Sequence, residues 1–96
     1  LTVAFFFKNT LEITFFFFYG SYFFSPKKLV LNEVKGKTIS LYPFPSTKNI
    51  TTIGLQWPLN NEHLELTKRI GTRNVAVEEM VTIHFESGDL VVFVSN

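Results

Sequence analysis

The sequence contains no cysteine, so disulfides and thiolate metal sites are excluded. It has little net charge, +1 from nine Lys and Arg against eight Asp and Glu. That balance does not demand a nucleic-acid partner, and any basic face must be local. The five glycines never fall into a phosphate-binding fingerprint. His63 and His84 lie in different segments, with no carboxylate or Cys at metal-ligand spacing beside them. Glu78 and Glu79 are adjacent and would diverge on a helix, so they form no acid–base pair. Hydrolase, kinase and redox chemistry all lack residues to carry them. The expectation is a protein that is not an enzyme, with no cofactor, no metal and no small-molecule substrate.

What the sequence has in excess is phenylalanine, twelve residues in 96, most of them before residue 25. Such an excess suits an AT-rich coding sequence and points weakly to an organelle genome. The chain begins with Leu, as expected of a processed or partial chain or an unusual start. Its length fits one domain with a single modest core. Residues 1–10 read as an N-terminal arm or an extra strand, and residues 11–96 as the domain proper.

The uncharged run from Ile13 to Pro26 is shorter than the roughly 20 residues a spanning helix needs. Aromatic density favours a buried strand from Leu11 to Tyr19, with Phe15 and Phe17 on one face and Phe16 and Phe18 on the other. A Gly-Ser loop would then carry Tyr22, Phe23 and Phe24 towards partners, since monomers rarely leave such rings open. Ser25, Pro26 and Gly36 punctuate a helix between them; a strand from Lys28 to Val34 is the rival reading.

From Tyr42 to Thr67 the pattern is a long polar hairpin. Thr51, Ile53 and Leu55 alternate with Thr52, Gly54 and Gln56, and Leu64 and Leu66 alternate with Glu65 and Thr67. Trp57 and Pro58 mark the corner between the two arms. Asn49-Ile50-Thr51 is a glycosylation triplet without supporting context. Thr72 to Ile83 reads either as a helix or as a strand in which Val81, Ile83 and Phe85 alternate with polar residues. Leu90 to Val94 fits a buried final strand.

Read as strand, helix, strand, strand, helix, strand, the order matches the split βαβ arrangement of ferredoxin-like domains. Within it, Pro43-Phe44-Pro45-Ser46-Thr47-Lys48 resembles the Pro-x-Pro-Thr-x-Lys segment of the small-subunit ribosomal protein S ten family. Thr52 to Pro58, Leu64 to Arg69 and Ile83 to Val91 are similar to that family's later motifs, in the same order. The resemblance implies an α+β, ferredoxin-like βαββαβ fold with a four-stranded antiparallel sheet, two short helices and a protruding hairpin at 42–67. It implies a structural constituent of the small ribosomal subunit, with rRNA and neighbouring ribosomal proteins as partners. The phenylalanine excess adds the expectation of a mitochondrial ribosome.

On this reading Lys48, Lys68, Arg69 and Arg73 make most phosphate contacts, with Lys27 and Lys28 adding to them, while Glu62, Glu65, Glu78 and Glu79 face elsewhere. Tyr22, Phe23, Phe24 and Trp57 are the expected protein contacts. The alternative is a small accessory subunit of an organelle membrane complex, anchored by the aromatic N-terminal part.

Overall fold

The computed structural model describes the backbone at residues 4–9 and 12–17 and whole residues from 20 to 96. Nine strands follow one another: β1 (Ala4–Asn9), β2 (Glu12–Phe17), β3 (Gly20–Phe24), β4 (Lys28–Leu31), β5 (Thr38–Ile53), β6 (Glu62–Glu65), β7 (Gly71–Val75), β8 (Val81–His84) and β9 (Ser87–Ser95). Every pairing is antiparallel. The described residues contain no helix, so the ferredoxin-like expectation is overturned in favour of an all-β fold. Among them, therefore, no helix is long and apolar enough to cross a membrane.

The sheet is organised about β5. Along one edge β5 pairs first with β9, from Ile39↔Val94 to Lys48↔Ser87, and then with β8, from Thr51↔His84 to Ile53↔Thr82. Along the other edge it pairs with β7 and β6. Further out, β3 adds to β9 and β4 adds to β8, giving the order β1-β2-β3-β9-β5-β8-β4. Gly88, at φ 91°, lies against the Ser46 carbonyl where the β8–β9 arm turns past β5, and a side chain there would collide with it.

Both expected helices are replaced by strands and turns. In the first, Leu29, Val30 and Leu31 pair with Ile83, Thr82 and Val81 of β8. Glu33 then takes a left-handed φ of 57°, which no helix continues. Val34 donates its N–H to the Glu79 carbonyl, outside any helical ladder. Ser25, Pro26 and Gly36 serve turns as readily as caps, which is why the punctuation misleads. The second segment is cut by Arg73 at φ 56° and splits into β7 and β8.

The Gly-Ser loop expected before residue 25 is strand β3, with Phe23 packed on the core. The side chains of Phe15 to Phe17, expected to be buried, and Phe18 altogether, lie outside the described residues. The core gathers Ile39, Leu41, Ile50, Leu64, Val81, Ile83, Leu90 and Val92, all essentially inaccessible to solvent. Each such side chain contributes about 1.5–3 kcal/mol through burial.

The expected projecting hairpin is built into the sheet. Its first arm belongs to β5, and β6 folds back on Ser46–Ile50 rather than on Thr51–Leu55. The alternation does not sort the residues into a buried and an exposed face. Ile53 is 67% exposed, whereas Thr52 is buried with both its backbone and its hydroxyl bonded.

Candidate functional site

Beyond Ile53 the chain enters a loop, residues 54–61, whose backbone is tied on two sides. Gly54 has φ 97°, and a Cβ there would stand 2.7 Å from the Met80 carbonyl oxygen. This turn returns Leu55 to the core after the exposed Ile53. On the first side, the Gly54 carbonyl accepts from Val77 N–H at 2.8 Å, and Gln56 N–H donates to the Val75 carbonyl at 2.8 Å. On the second, Leu59 N–H donates to Thr52 Oγ1 at 2.8 Å, while Thr52 N–H donates to the Leu59 carbonyl at 2.9 Å. Leu59 is buried and anchors this end in the core.

At the top of the loop stands Trp57, the single tryptophan, 59% exposed although bulky and apolar. Its peptide groups are held by Asn74, a buried polar residue of β7. Trp57 N–H donates to Asn74 Oδ1 at 3.0 Å, and Asn74 Nδ2–H donates to the Trp57 carbonyl at 2.7 Å. Asn74 Oδ1 also accepts from Val75 N–H at 3.0 Å. An indole displayed on backbone fixed at both ends is a preorganised platform. It can stack on a flat ring or hold a cation over its face.

The cations expected to form a basic edge fall on several elements. Lys27 and Lys28 lie beside the end of β8, where Phe85 N–H donates to the Lys27 carbonyl and Lys28 pairs with His84. Lys48 faces Ser87 across the β5–β9 ladder. Lys68 and Arg69 sit in the turn after β6, and Arg73 lies opposite Ser40, whose Oγ accepts its N–H at 2.9 Å. Glu62 and Glu65 do not face elsewhere: Arg69 Nη2 lies 2.6 Å from Glu62 Oε1, and Lys68 Nζ lies 3.5 Å from Glu65 Oε2. His63 Nε2 is 2.8 Å from Glu65 Oε1. The Arg69 hydrogen bond lowers the Glu62 pKa, and the His63 hydrogen bond, aided by Lys68, lowers that of Glu65. Two of the six expected phosphate ligands, Lys68 and Arg69, thus lie beside carboxylates.

Of the expected protein contacts, Phe23 faces the core, whereas Tyr22 and Phe24 lie on the opposite face of β3. Trp57 is exposed on the loop that joins β5 to β6. Asn74 escapes sequence reasoning altogether. A lone Asn in a basic, Thr-rich stretch carries no signal of its own, and only the folded register brings it beneath Trp57.

Comparison with known proteins gives the arrangement its context. The sequence model of the family described as thiamin pyrophosphokinase, vitamin B1 binding domain, matches residues 27–90. No curated protein matches the chain in sequence. Among solved structures, thiamine pyrophosphokinase from Bacillus subtilis is similar with a TM-score of 0.72 at 23% identity, over 82% of this chain and 39% of that one. Thiamin pyrophosphokinase from Geobacillus thermodenitrificans gives a TM-score of 0.73 at 18% identity, over 81% and 38% of the two chains. A thiamin pyrophosphokinase family protein from Enterococcus faecalis gives 0.68 at 18%, over 81% and 37%. At these identities the likeness establishes the fold. The chain spans about two fifths of the length of each solved relative.

The resemblance to a ribosomal protein is thereby overturned. The matched motifs are short and lie on an all-β sheet that the ribosomal family's expected helices cannot share. With it go the rRNA and ribosomal partners and the structural, non-enzymatic role. The expectation that no small molecule is bound also conflicts with a family described by vitamin B1 binding. The match covers two thirds of the sequence, and the chain belongs to the thiamin pyrophosphokinase vitamin B1 binding domain family.

Proposed function

We propose that this chain is the thiamin-binding module of a thiamin pyrophosphokinase and that the Trp57 loop receives the vitamin. The observation that carries the reading is the exposed indole on a doubly anchored loop, lying inside the segment the family model matches. Thiamin has a permanently cationic thiazolium ring, a flat aminopyrimidine and a primary hydroxyl. The indole face attracts the cation through its quadrupole, worth about 0.5–2 kcal/mol depending on desolvation. Because Asn74 and Thr52 fix the loop beforehand, little ordering entropy is spent when the ring arrives.

The reaction of the whole enzyme is transfer of a pyrophosphoryl group from a nucleoside triphosphate to the hydroxyl of thiamin. The role proposed for this module is to hold the acceptor and orient its hydroxyl. Catalysis of that transfer is chiefly a matter of positioning and charge stabilisation. Handling of the donor's phosphates is assigned to a portion of the enzyme outside the residues matched here.

Since Trp57 is the single tryptophan, its fluorescence reports this loop alone. Titration of the chain with thiamin should quench that emission saturably. Trp57→Phe should bind more weakly, as followed by calorimetry, and a thiazole lacking the quaternary charge should bind more weakly to the wild type. No saturable response at millimolar thiamin would rule the assignment out.

A further inference from the structure

The sheet of β3, β9 and β5 is apolar on both faces. On the core side, Phe23, Val92 and Leu41 form one cross-strand row. On the opposite side lie Tyr22, Phe93 and Ser40 in one row and Phe24, Val91 and Tyr42 in the next. Phe44 continues that second face along β5 and is 54% exposed. The rings are tilted against one another: Tyr22 and Phe93 have centroids 4.6 Å apart at 42°, Tyr22 and Tyr42 6.2 Å apart at 37°, and Phe24 and Phe44 5.9 Å apart at 80°. Between Tyr22, Tyr42, Phe44, Leu66 and Val91 an open recess of about 360 Å³ remains. Leu66 is held at its rim because its N–H donates to the Pro45 carbonyl at 2.8 Å. Trp57 is not among the lining residues.

We propose that this recess is a second binding site, separate from the Trp57 loop, for a small, uncharged, planar aromatic molecule of one or two fused rings. Size argues for such a ligand. Small-molecule pockets begin at about 300 Å³, and one aromatic side chain buries about 150–250 Å².

Charge argues the same way. None of the five lining residues is ionised at neutral pH, so nothing there would offset the desolvation of a charged ligand. Burial, with Tyr42 beside it, raises the Tyr22 pKa and keeps that wall neutral. The tilted rings offer one offset-stacked and one edge-on contact, the two geometries aromatic pairs favour. The Tyr22 and Tyr42 hydroxyls, hydrogen-bonded to one another, keep acceptor lone pairs that would receive a ring N–H.

The test is a titration of the full chain with indole as probe, followed by two-dimensional NMR. Saturable shifts should appear at Tyr42, Phe44, Leu66 and Val91 and persist in Trp57→Ala. Phe44→Ala, at an exposed position that folding tolerates, should weaken binding about three- to tenfold, as loss of one aromatic contact predicts. Leu66→Ala provides a second variant at the rim, and it too should bind more weakly. Indole-3-acetate should bind at least about tenfold more weakly than indole, because its carboxylate must be desolvated. The proposal is overturned if indole gives no saturable shifts, if its affinity is unchanged in both variants, or if its shifts centre on Trp57. Sedimentation showing a dimer that Phe44→Ala dissolves would also overturn it, since a second copy would then cover the face.

Discussion

Asn74 holds the backbone of Trp57 from both sides, accepting from its N–H at 3.0 Å and donating to its carbonyl at 2.7 Å. One amide side chain therefore satisfies the peptide groups on either side of the residue proposed to meet the vitamin. Asn74→Ala removes both bonds and leaves partly buried polar groups without partners, each costing about 1–3 kcal/mol. The variant should unfold at lower urea and bind thiamin more weakly. Asn74→Asp keeps the acceptor and loses the donor, so its urea midpoint should fall between those of Asn74→Ala and the wild type.

Trp57 itself should matter to binding and hardly at all to stability. Its side chain is more than half exposed, and exposed substitutions usually change stability by less than about 0.5 kcal/mol. Trp57→Ala should leave the urea midpoint near the wild-type value. Loss of the cation–π contact should weaken thiamin binding by about 2- to 30-fold. A comparable fall in stability would mean that the indole serves packing rather than recognition.

Gly54 tests the loop from its other end. With φ 97° and the Met80 carbonyl oxygen 2.7 Å from where a Cβ would stand, an alanine is both strained and crowded. Gly54→Ala should destabilise the fold by about 1–3 kcal/mol, measurable by thermal or urea unfolding. It should also loosen the loop, so thiamin affinity should fall while the Asn74 contacts remain intact.

The ion pair between Glu62 and Arg69 predicts an acid dependence with a definite sign. The Arg69 hydrogen bond holds the Glu62 pKa below its ordinary value in the folded chain. Between the folded and unfolded pKa values the unfolded chain binds the proton more readily, so stability rises with pH there. The contribution is complete above the ordinary carboxylate value and is lost as pH falls through the folded one. Glu62→Gln should flatten the urea midpoint between about pH 2 and 6 relative to wild type. An identical pH profile in the variant would show that the pair contributes nothing. The pair is solvent-exposed, so added salt should shrink the difference.

Alternation is the most legible signal in the sequence. Val81, Ile83 and Phe85 read as one face of a strand, and all three are buried. The helical alternative for the same stretch rests on Ala76, Met80 and Ile83 sharing a face. It fails because Met80 is 53% exposed and the left-handed Arg73 breaks the path. Facing is less legible than strand identity. Pattern alone puts a threonine outside and an isoleucine inside, but Thr52 has a hydroxyl partner in Leu59 and Ile53 does not need one. Turn residues mislead most, because proline, glycine and asparagine punctuate a helix and a strand corner alike. The Trp57 loop is visible as a turn, but its role is not. What makes it a platform is Asn74, seventeen residues away in sequence and joined to it only by folding.

The place of β9 has a consequence for how the chain can be made. β9 lies between β3 and β5 and is synthesised after both, so these earlier strands emerge without the neighbour that joins them. At translation rates of about 5–20 residues per second, β5 is complete roughly 2–7 s before β9 begins to emerge. Throughout that interval the phenylalanine-rich opening strands are outside the translation machinery while the core sheet still lacks its central piece. Local hairpins cannot relieve this, since the ladder joins residues far apart in sequence. Slowing synthesis across residues 54–86 lengthens that exposure and should raise the demand for chaperones.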